Sequence, residues 1–494
     1  MARSKKKIHY RILMVTTEAV PFAKSGGLAD AVTALAQELD RAGHDVRLLM
    51  PRYYGIRRDQ LFRFPSLFRV QVGEERYEAA IYEGRLPDSE AVVYFLDHEV
   101  LYGRDGIYGA DGETFGDNLR RFSVLSHAAL ALGSRLGWEP EIIHAHDWPT
   151  ALVPMLVRRR QSGPDRPASV LTIHNLGYQG NYPVRMLPET GLSWNELSGS
   201  GLLHHDELNM LKAGILNADM VTTVSPNYAA EIQTPLHGFS LDQELATRSE
   251  SLVGILNGVD YQLWNPERDS HLDVNYTAET VALKERSKNA LQTELGLAVS
   301  NELPLIGMVS RLVPQKGLDE LVAPGYGALP AVLTDMPVQV VVLGTGDAAY
   351  EYQLRRLMSR FPNFKTVIGF DDGLAHRIEA GADFFLMPSR YEPCGLNQLY
   401  SLRYGTIPIV TRTGGLADTV QDVTPEGGTG FLIDHACPSK ITEGIRRAVT
   451  MWKESPKQIG AVRRAGMKAR YSWESAAGHY LEAYAKAIGY RASV

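Results

Sequence analysis

The pentapeptide Gly-Gly-Leu-Ala-Asp occurs twice, at Gly26–Asp30 and at Gly414–Asp418, once near each end of the chain. Each copy follows an apolar run with strand character: Arg11-Ile12-Leu13-Met14-Val15-Thr16-Thr17-Glu18 before the first, Ile407-Pro408-Ile409-Val410 before the second. After the first copy Leu28, Val32, Leu35 and Leu39 recur at near-helical spacing, so one stripe of a helix can pack back on a sheet. Adjacent glycines at such a turn let a ligand approach the backbone closely. The helix N-terminus adds unpaired N–H groups and partial positive charge, which suit a diphosphate, and Lys24 adds a whole charge at the same rim. A single copy is equally well read as a turn that merely needs glycine. Two copies, in two α/β halves, point to two lobes facing one polar ligand.

The 494 residues suffice for two or three domains, each with its own core. A net charge of −6 gives no global field favouring nucleic acid or an anionic membrane, so any phosphate site is local. The basic start, with Arg3, Lys5, Lys6 and Lys7, has no apolar run behind it; it reads as a solvated tail, not a secretory signal or a transit peptide. No apolar stretch is long enough for a membrane span. Cys394 and Cys437 are the only cysteines, which excludes a disulfide scaffold or a cysteine-based zinc site and fits a reducing cytoplasm.

Strand and helix signals alternate through the first half. Strand-like runs lie at Asp45–Met50, Val70–Val72, Ala79–Tyr82 and Val92–Leu96, and a helix covers Asp117–Leu136. Then Ile142–Trp148, Val170–Asn175 and Met220–Ser225 are short apolar strands with polar C-terminal ends, as a parallel, helix-covered sheet requires. Asn257–Asp269 breaks the pattern and reads as a linker. A second series follows at Pro304–Ser310, Val338–Leu343, Thr366–Phe370, Phe384–Met387 and Pro408–Val410, and the chain closes with a helix from Ala476. The expected fold class is α/β: two doubly wound, Rossmann-like domains, 1–260 and 270–475, with a ligand cleft between them.

The polar residues at these strand ends are the candidate chemistry. In Ser310–Gly317, Arg311 and Lys316 offer a fork and a mobile point charge that can neutralise a leaving diphosphate. In Ser389–Leu396, Glu392 precedes a helix beginning near Gly395, where N–H groups can receive hydroxyls or phosphate; a plain capping role is the alternative for Glu392. Cys394 has no base partner and reads as a structural thiol. His144 and His146 share one side of a strand with Asp147 on the other, and no further ligand completes a metal site. Asp147 is better placed to meet sugar hydroxyls. His174 either hydrogen-bonds a substrate or is a satisfied structural histidine. His204-His205-Asp206-Glu207 lacks metalloprotease spacing and reads as surface. No Asp-x-Asp metal motif stands at a strand end, so basic residues and helix ends would replace a metal ion.

Seven segments in order, Lys24–Asp30, His144–Trp148, Thr172–Gly180, Asn257–Asp260, Ser310–Gly317, Glu392–Leu396 and Thr413–Asp418, resemble those of bacterial glycogen synthases and plant starch synthases. The likeness runs from about Ile12 to Tyr484. It implies a GT-B fold in which the final helix, 476–494, crosses back to complete the N-terminal domain. It also implies retaining transfer of glucose from ADP-glucose to the non-reducing end of an α-1,4-glucan such as glycogen. No cofactor or metal is expected, and neither nucleic acid nor membrane is a partner. By resemblance Arg311 and Lys316 bind the diphosphate and Glu392 meets the donor glucose. His174 lies beside the anomeric carbon, and Asp147 is the acceptor-side carboxylate. Lys24, Gly26 and Gly27 clamp the donor. Gly395, Leu396, Thr413, Gly414 and Gly415 belong to the same donor set, and Phe370 stands where an aromatic ring meets adenine. Asp30, Trp148, Asn175 and Asn257 join Asp147 on the acceptor side. The wider retaining GT-B pattern has a second glutamate eight positions after the first; Tyr400 stands there, and bacterial glycogen synthases look alike in lacking that glutamate.

Overall fold

The computed structural model describes residues 9–110, 112–160 and 166–491, with Arg160 described only in its backbone. The basic stretch Met1–Lys7 and the end of the predicted final helix, from residue 492, lie outside the described residues. Two compact units result. The first contains residues up to Val224, then Ala229–Gly258, and the last segment from Trp473; the second contains Ser225–Tyr228 and Val259–Ser472.

The first unit is built on parallel strands β1 (Arg11–Val15), β2 (Asp45–Pro51), β3 (Val92–Asp97), β4 (Ile142–His146), β5 (Ala168–Ile173), β6 (Met220–Thr223) and β7 (Leu252–Gly254). Their spatial order is β3-β2-β1-β4-β5-β6-β7, extended beyond β3 by the antiparallel strand Glu75–Arg85. Strands β4 and β5 are buried along their whole length, His144, His146, Ser169 and Thr172 included, so neither shows an in–out alternation of exposure. Helix α1 (Gly27–Arg41) buries Leu28, Val32, Leu35 and Leu39. Helix α2 (Asn118–Leu136) stops at Gly137, whose φ of 61° is the left-handed geometry that ends helices at glycine. The final helix, Trp473–Arg491, places Trp473, Tyr480 and Tyr484 in the same core as Leu28, Val32 and Leu35. A second apolar cluster, including Leu119, Leu152 and Leu208, is formed with helices and short strands apart from that core.

The second unit repeats the design with β8 (Leu305–Val309), β9 (Gln339–Gly344), β10 (Phe364–Ile368), β11 (Phe384–Met387), β12 (Ile407–Thr411) and β13 (Phe431–Ile433). All pair in parallel, in the order β10-β9-β8-β11-β12-β13. Three helices matter below: α3 (Asp372–Gly381), α4 (Asn397–Tyr404) and α5 (Gly414–Thr419). Both sheets therefore have the strand order of doubly wound nucleotide-binding folds, in which the order reverses between the first and fourth strands.

The stretch Asn257–Asp269 is no free linker. Val259 bridges to Ser472, Asn265 and Asp269 are buried, and Trp264 stacks on both His376 and Tyr400 at ring-centroid distances of 3.7 and 3.9 Å. Asparagine and aspartate turns misled the reading, because side chains that fold the backbone locally also fit a connector. The edge strands β7 and β13 are only three residues long and escaped the sequence pattern altogether.

Candidate active site

In doubly wound sheets, ligands bind beyond the carboxyl ends of the strands where the order reverses. In the first unit that point lies between β1 and β4. The loop after β1 runs from Thr16 to Gly26, and Glu18 is buried within it. One Glu18 oxygen accepts from the backbone N–H groups of Ser25 (2.6 Å) and Gly26 (3.3 Å); the other takes the hydroxyls of Ser25 and Tyr108, both at 2.7 Å. Two amides expected to await a ligand anion thus already hold a carboxylate. Lys24 pairs at 2.8 Å with Asp30, the first-turn acid of α1, in an exposed contact that a polyanion can displace at little cost. Gly26 is extended, with a φ of −163°, and nothing lies within 4 Å of where a Cβ would stand, so its side-chain face is open.

The next strands bring the histidines together. The strand alternation puts His144 and His146 on one face, and their rings lie 4.1 Å apart. His146 Nδ1 meets His174 Nε2 at 3.1 Å, so one proton is shared between two rings. His144 hydrogen-bonds Tyr484 Oη at 2.8 Å and Thr172 at 2.6 Å. Burial holds His144 and His174 down to about 3 and moves His146 in the same direction, so all three rings are neutral near pH 7.

Asp147 leaves the strand with a φ of 57°, unusual for a non-glycine residue. That turn aims its Oδ1 at the backbone N–H groups of His174 (2.7 Å) and Asn175 (3.4 Å). Enclosure pushes its carboxyl up to about 7 against the opposing pull of those two bonds, although the residue still reaches solvent. Half of the expected acceptor carboxylate is therefore spent on fixing the His174–Asn175 turn. Asn175 turns its own Oδ1 onto Gly177 N–H at 3.0 Å. Trp148 packs edge-on to Phe122 at 5.3 Å, and Gly180 beside it has no room for a Cβ, which would lie 2.5 Å from the indole. Asn257 lies past β7, away from β1 in the sheet order; it is buried, and its Oδ1 has no hydrogen-bond partner among the described residues.

In the second unit the order reverses between β8 and β11, and the two loops there are fastened to each other. Arg390 N–H donates to Gln315 O at 2.9 Å, and Asn397 reaches Val309 O at 2.6 Å. Gly317, with a φ of 75°, lets Pro388 O come within 2.0 Å of where a Cβ would be. Lys316 closes a single 3-10 turn, Pro314–Lys316, rather than opening the following helix. Its Nζ lies 2.5 Å from Glu392 Oε2, which also accepts from Ser389 Oγ at 3.0 Å. Glu392 is 6% exposed. Arg311 is exposed and makes no ion pair among the described residues. Gly395, with a φ of 73°, and Leu396 lead into α4, whose first N–H groups have no acceptor inside the helix.

The second glycine pair differs from the first. A Cβ on Gly414 would lie 1.9 Å from Glu392 O, and one on Gly415 would lie 2.1 Å from Cys394 O. Thr413 is buried as the residue preceding α5. These glycines admit the backbone of residues 392–394, not a ligand, and correct the expectation that both pairs are open cradles. Asp418 holds Ser225 Oγ and Asn227 N–H at 2.5 and 3.0 Å instead of pairing with a lysine. Phe370, after β10, is not gathered beside Glu392; it stands 83% exposed beyond the far edge strand of the sheet. Tyr400, in the place of a second glutamate, lies flat on Trp264.

Sequence reasoning missed Glu18, Tyr108 and Ser389 as members of these constellations, and it weighed His146 only as a metal ligand. Glu18 gave a signal as an acid closing an apolar strand just ahead of a glycine turn, and His146 gave one by sharing a strand face with His144.

Comparison with known proteins places the chain in a family. Residues 11–247 match the starch synthase catalytic domain family, and residues 296–464 match glycosyl transferases group 1. A glycogen synthase of Treponema denticola is 47% identical over 98% of this chain and 100% of its own. A glycogen synthase of Geobacter metallireducens is 42% identical over 97% and 96% respectively. The catalytic domain of starch synthase IV from Arabidopsis thaliana, solved with ADP and acarbose, superposes with a TM-score of 0.87 at 30% identity, covering 98% of this chain and 100% of that one. The chain belongs to the glycogen synthase and starch synthase family, glucan-building glucosyltransferases of the GT-B fold.

Proposed function

We propose that the protein transfers glucose from ADP-glucose to the non-reducing end of an α-1,4-glucan, with retention at the anomeric carbon and without a catalytic metal. The observation that carries this reading is the Arg311–Lys316–Glu392 corner at the reversal point of the second sheet. It offers one uncommitted guanidinium, one ammonium held against a buried carboxylate, and the leading N–H groups of α4. Such a corner neutralises a departing diphosphate where its charge develops. Glu392 holds Lys316 in position and presents its carboxylate to donor glucose hydroxyls. Phe370 offers an open aromatic face on which a purine can stack. The relative solved with ADP supports the adenine nucleotide.

In the first unit, Lys24 is the further cation for the donor, beside the open face of Gly26 and the following Gly27. Asp147 fixes the turn that presents His174 and Asn175, and His174, uncharged, meets the sugar as a hydrogen-bonding group. Asp30, Trp148, Asn175 and the unpaired Oδ1 of Asn257 serve the glucan. No side chain is marked as a covalent nucleophile. The acceptor hydroxyl oxygen bonds to the anomeric carbon as that carbon's bond to the phosphate oxygen breaks, and the hydroxyl proton passes to the departing phosphate. Neither cysteine is in a disulfide, compatible with a reducing cytoplasm.

The test is incubation with radiolabelled ADP-glucose or UDP-glucose, with and without glycogen, followed by polymer precipitation. Label should enter polymer from ADP-glucose, only with glycogen, and equally in excess chelator. Preference for UDP-glucose, product too small to precipitate, or donor conversion without acceptor overturns the reading.

A further inference from the structure

Outside these constellations the second unit carries a group of three ligand-type side chains. His271, Asp372 and His376 offer ligand atoms that all lie within 4.8 Å of one another, and among the described residues this is the group of that kind. Their origins explain the convergence. Asp372 and His376 are four apart on α3, so one turn of helix puts them on the same face. His271 comes from the segment after Asp269, whose Oδ1 accepts the His271 backbone N–H at 2.9 Å.

Juxtaposition alone would carry nothing, but His376 is completely buried and half satisfied. Its Nδ1 meets Asp269 Oδ2 at 2.8 Å, and that same oxygen also accepts from Tyr404 Oη at 2.5 Å. Trp264 covers the ring face at 3.7 Å. The opposite nitrogen, Nε2, is buried with no hydrogen-bond partner among the described residues. With the Nδ1 proton given to Asp269, Nε2 carries a lone pair that no donor reaches. Were the ring doubly protonated, Nε2 would be a buried donor without an acceptor, which is worse. A carboxylate holding one imidazole nitrogen while the other is left free is how proteins fix the tautomer and orientation of a metal-binding histidine. The adjacent Arg377 is committed to Glu294 through two bonds of 2.8 and 2.7 Å, so its charge is paired, although its guanidinium shares the neighbourhood of Gly373 with His271.

From this arrangement we propose that His376 Nε2, His271 and Asp372 bind one divalent ion of the zinc type. Two imidazoles and one carboxylate suit zinc and its borderline neighbours rather than magnesium or calcium. His376 is the fixed ligand; His271 and Asp372 are exposed and free to close the remaining distance. The ion ties the His271 segment to a helix that begins two residues after Phe370, and so braces the turn bearing that ring. The site is structural and separate from the transfer chemistry.

The test uses the full-length protein stripped with chelator, titrated with zinc against a chromogenic competitor, with thermal melting alongside. The proposal expects one equivalent bound per chain and a rise in Tm on adding zinc. His271→Ala and Asp372→Asn, both at exposed positions, should each weaken binding by about 10-fold or more, and the double variant should lose both the equivalent and the Tm rise. Absence of a stoichiometric equivalent in the unaltered protein overturns it. So does zinc binding of unchanged affinity in the double variant.

Discussion

Exchanging Lys316 for Met removes the partner of a carboxylate that is 6% exposed. At 2.5 Å and an effective dielectric near 20, the gross attraction is about 6–7 kcal/mol, most of it offset by desolvation of both charges. Breaking a fully buried pair from one side costs about 3–5 kcal/mol. Lys316 retains 18% side-chain exposure and Ser389 still donates to Glu392, so about 2–3 kcal/mol is the working figure here. For a unit of this size each kcal/mol moves the midpoint by about 2–4 °C, which gives a fall of about 4–12 °C for Lys316→Met. Restoring balance with the double change Lys316→Met/Glu392→Gln should recover more than half of that loss, because no buried charge is then left unpaired. Scanning calorimetry of the unaltered protein and the two variants in one buffer measures both numbers. A single-variant shift under about 1 °C, or a double variant no better than Lys316→Met, would show that the pair does not hold the loop, and the account of Glu392 as a positioned carboxylate would go with it.

Tyr484→Phe should destabilise the first unit by about 1–3 kcal/mol, since it strips His144 Nδ1 of its partner inside a fully buried site; urea denaturation followed by tryptophan fluorescence reads it. His144 and His174, held below their ordinary values, contribute stability that is complete above about 6.5 and fades as the pH falls toward about 3, because the unfolded chain takes up protons that the folded rings refuse; His146, also held down by burial, acts in the same direction. Asp147, raised to about 7, works in the opposite sense, favouring the folded state as the pH drops below 7, so three groups outweigh one and acidification from pH 7 to 5 should lower the midpoint. Asp147→Asn should steepen that fall, and a flat profile for both proteins would refute the assignment. Gly414→Ala should prevent correct folding of its loop, with a φ of 44° and a backbone oxygen 1.9 Å from the added carbon, whereas Gly26→Ala should leave the thermal midpoint within about 1 °C; equal losses at the two positions would contradict the contrast.

What was legible in the sequence follows from what sequence encodes directly. Strands β1, β4, β5, β8 and β11 are apolar runs ending in polar residues, and both the runs and their ends are local. The alternation that put His144 and His146 on one face survives as rings 4.1 Å apart. Contacts that depend on where a distant backbone passes were not legible. Nothing at Gly414 announces that Glu392 O will fill its open face, and nothing at Ser25 announces a carboxylate seven residues earlier as its acceptor. His271 and His376 are far apart in the chain, and the packing of Trp264 and Asp269 against His376 within the second unit brings them together. The linker reading of Asn257–Asp269 hid that group, because a segment taken as a connector offers no reason to look for ligands on it.

The repeated pentapeptide shows how one sequence string can serve two physical ends. At Gly26 the glycine face is open, the loop amides are held by Glu18, and the terminal aspartate keeps an exposed lysine within reach. At Gly414 the glycines disappear beneath residues 392–394, and the terminal aspartate pins Ser225 and Asn227. What the two copies share is the backbone requirement, a strand-to-helix turn with no side chain at its inner corner. What occupies the corner is decided by the loop packed against it. In the second unit that occupant is the Glu392 backbone itself, so the glycines there act on the chemistry indirectly, by fixing the height at which the Glu392 carboxylate meets Lys316. Any group that widens the corner moves the carboxylate and its ammonium together, and the charge arrangement proposed to receive the diphosphate depends on the absence of two methyl groups.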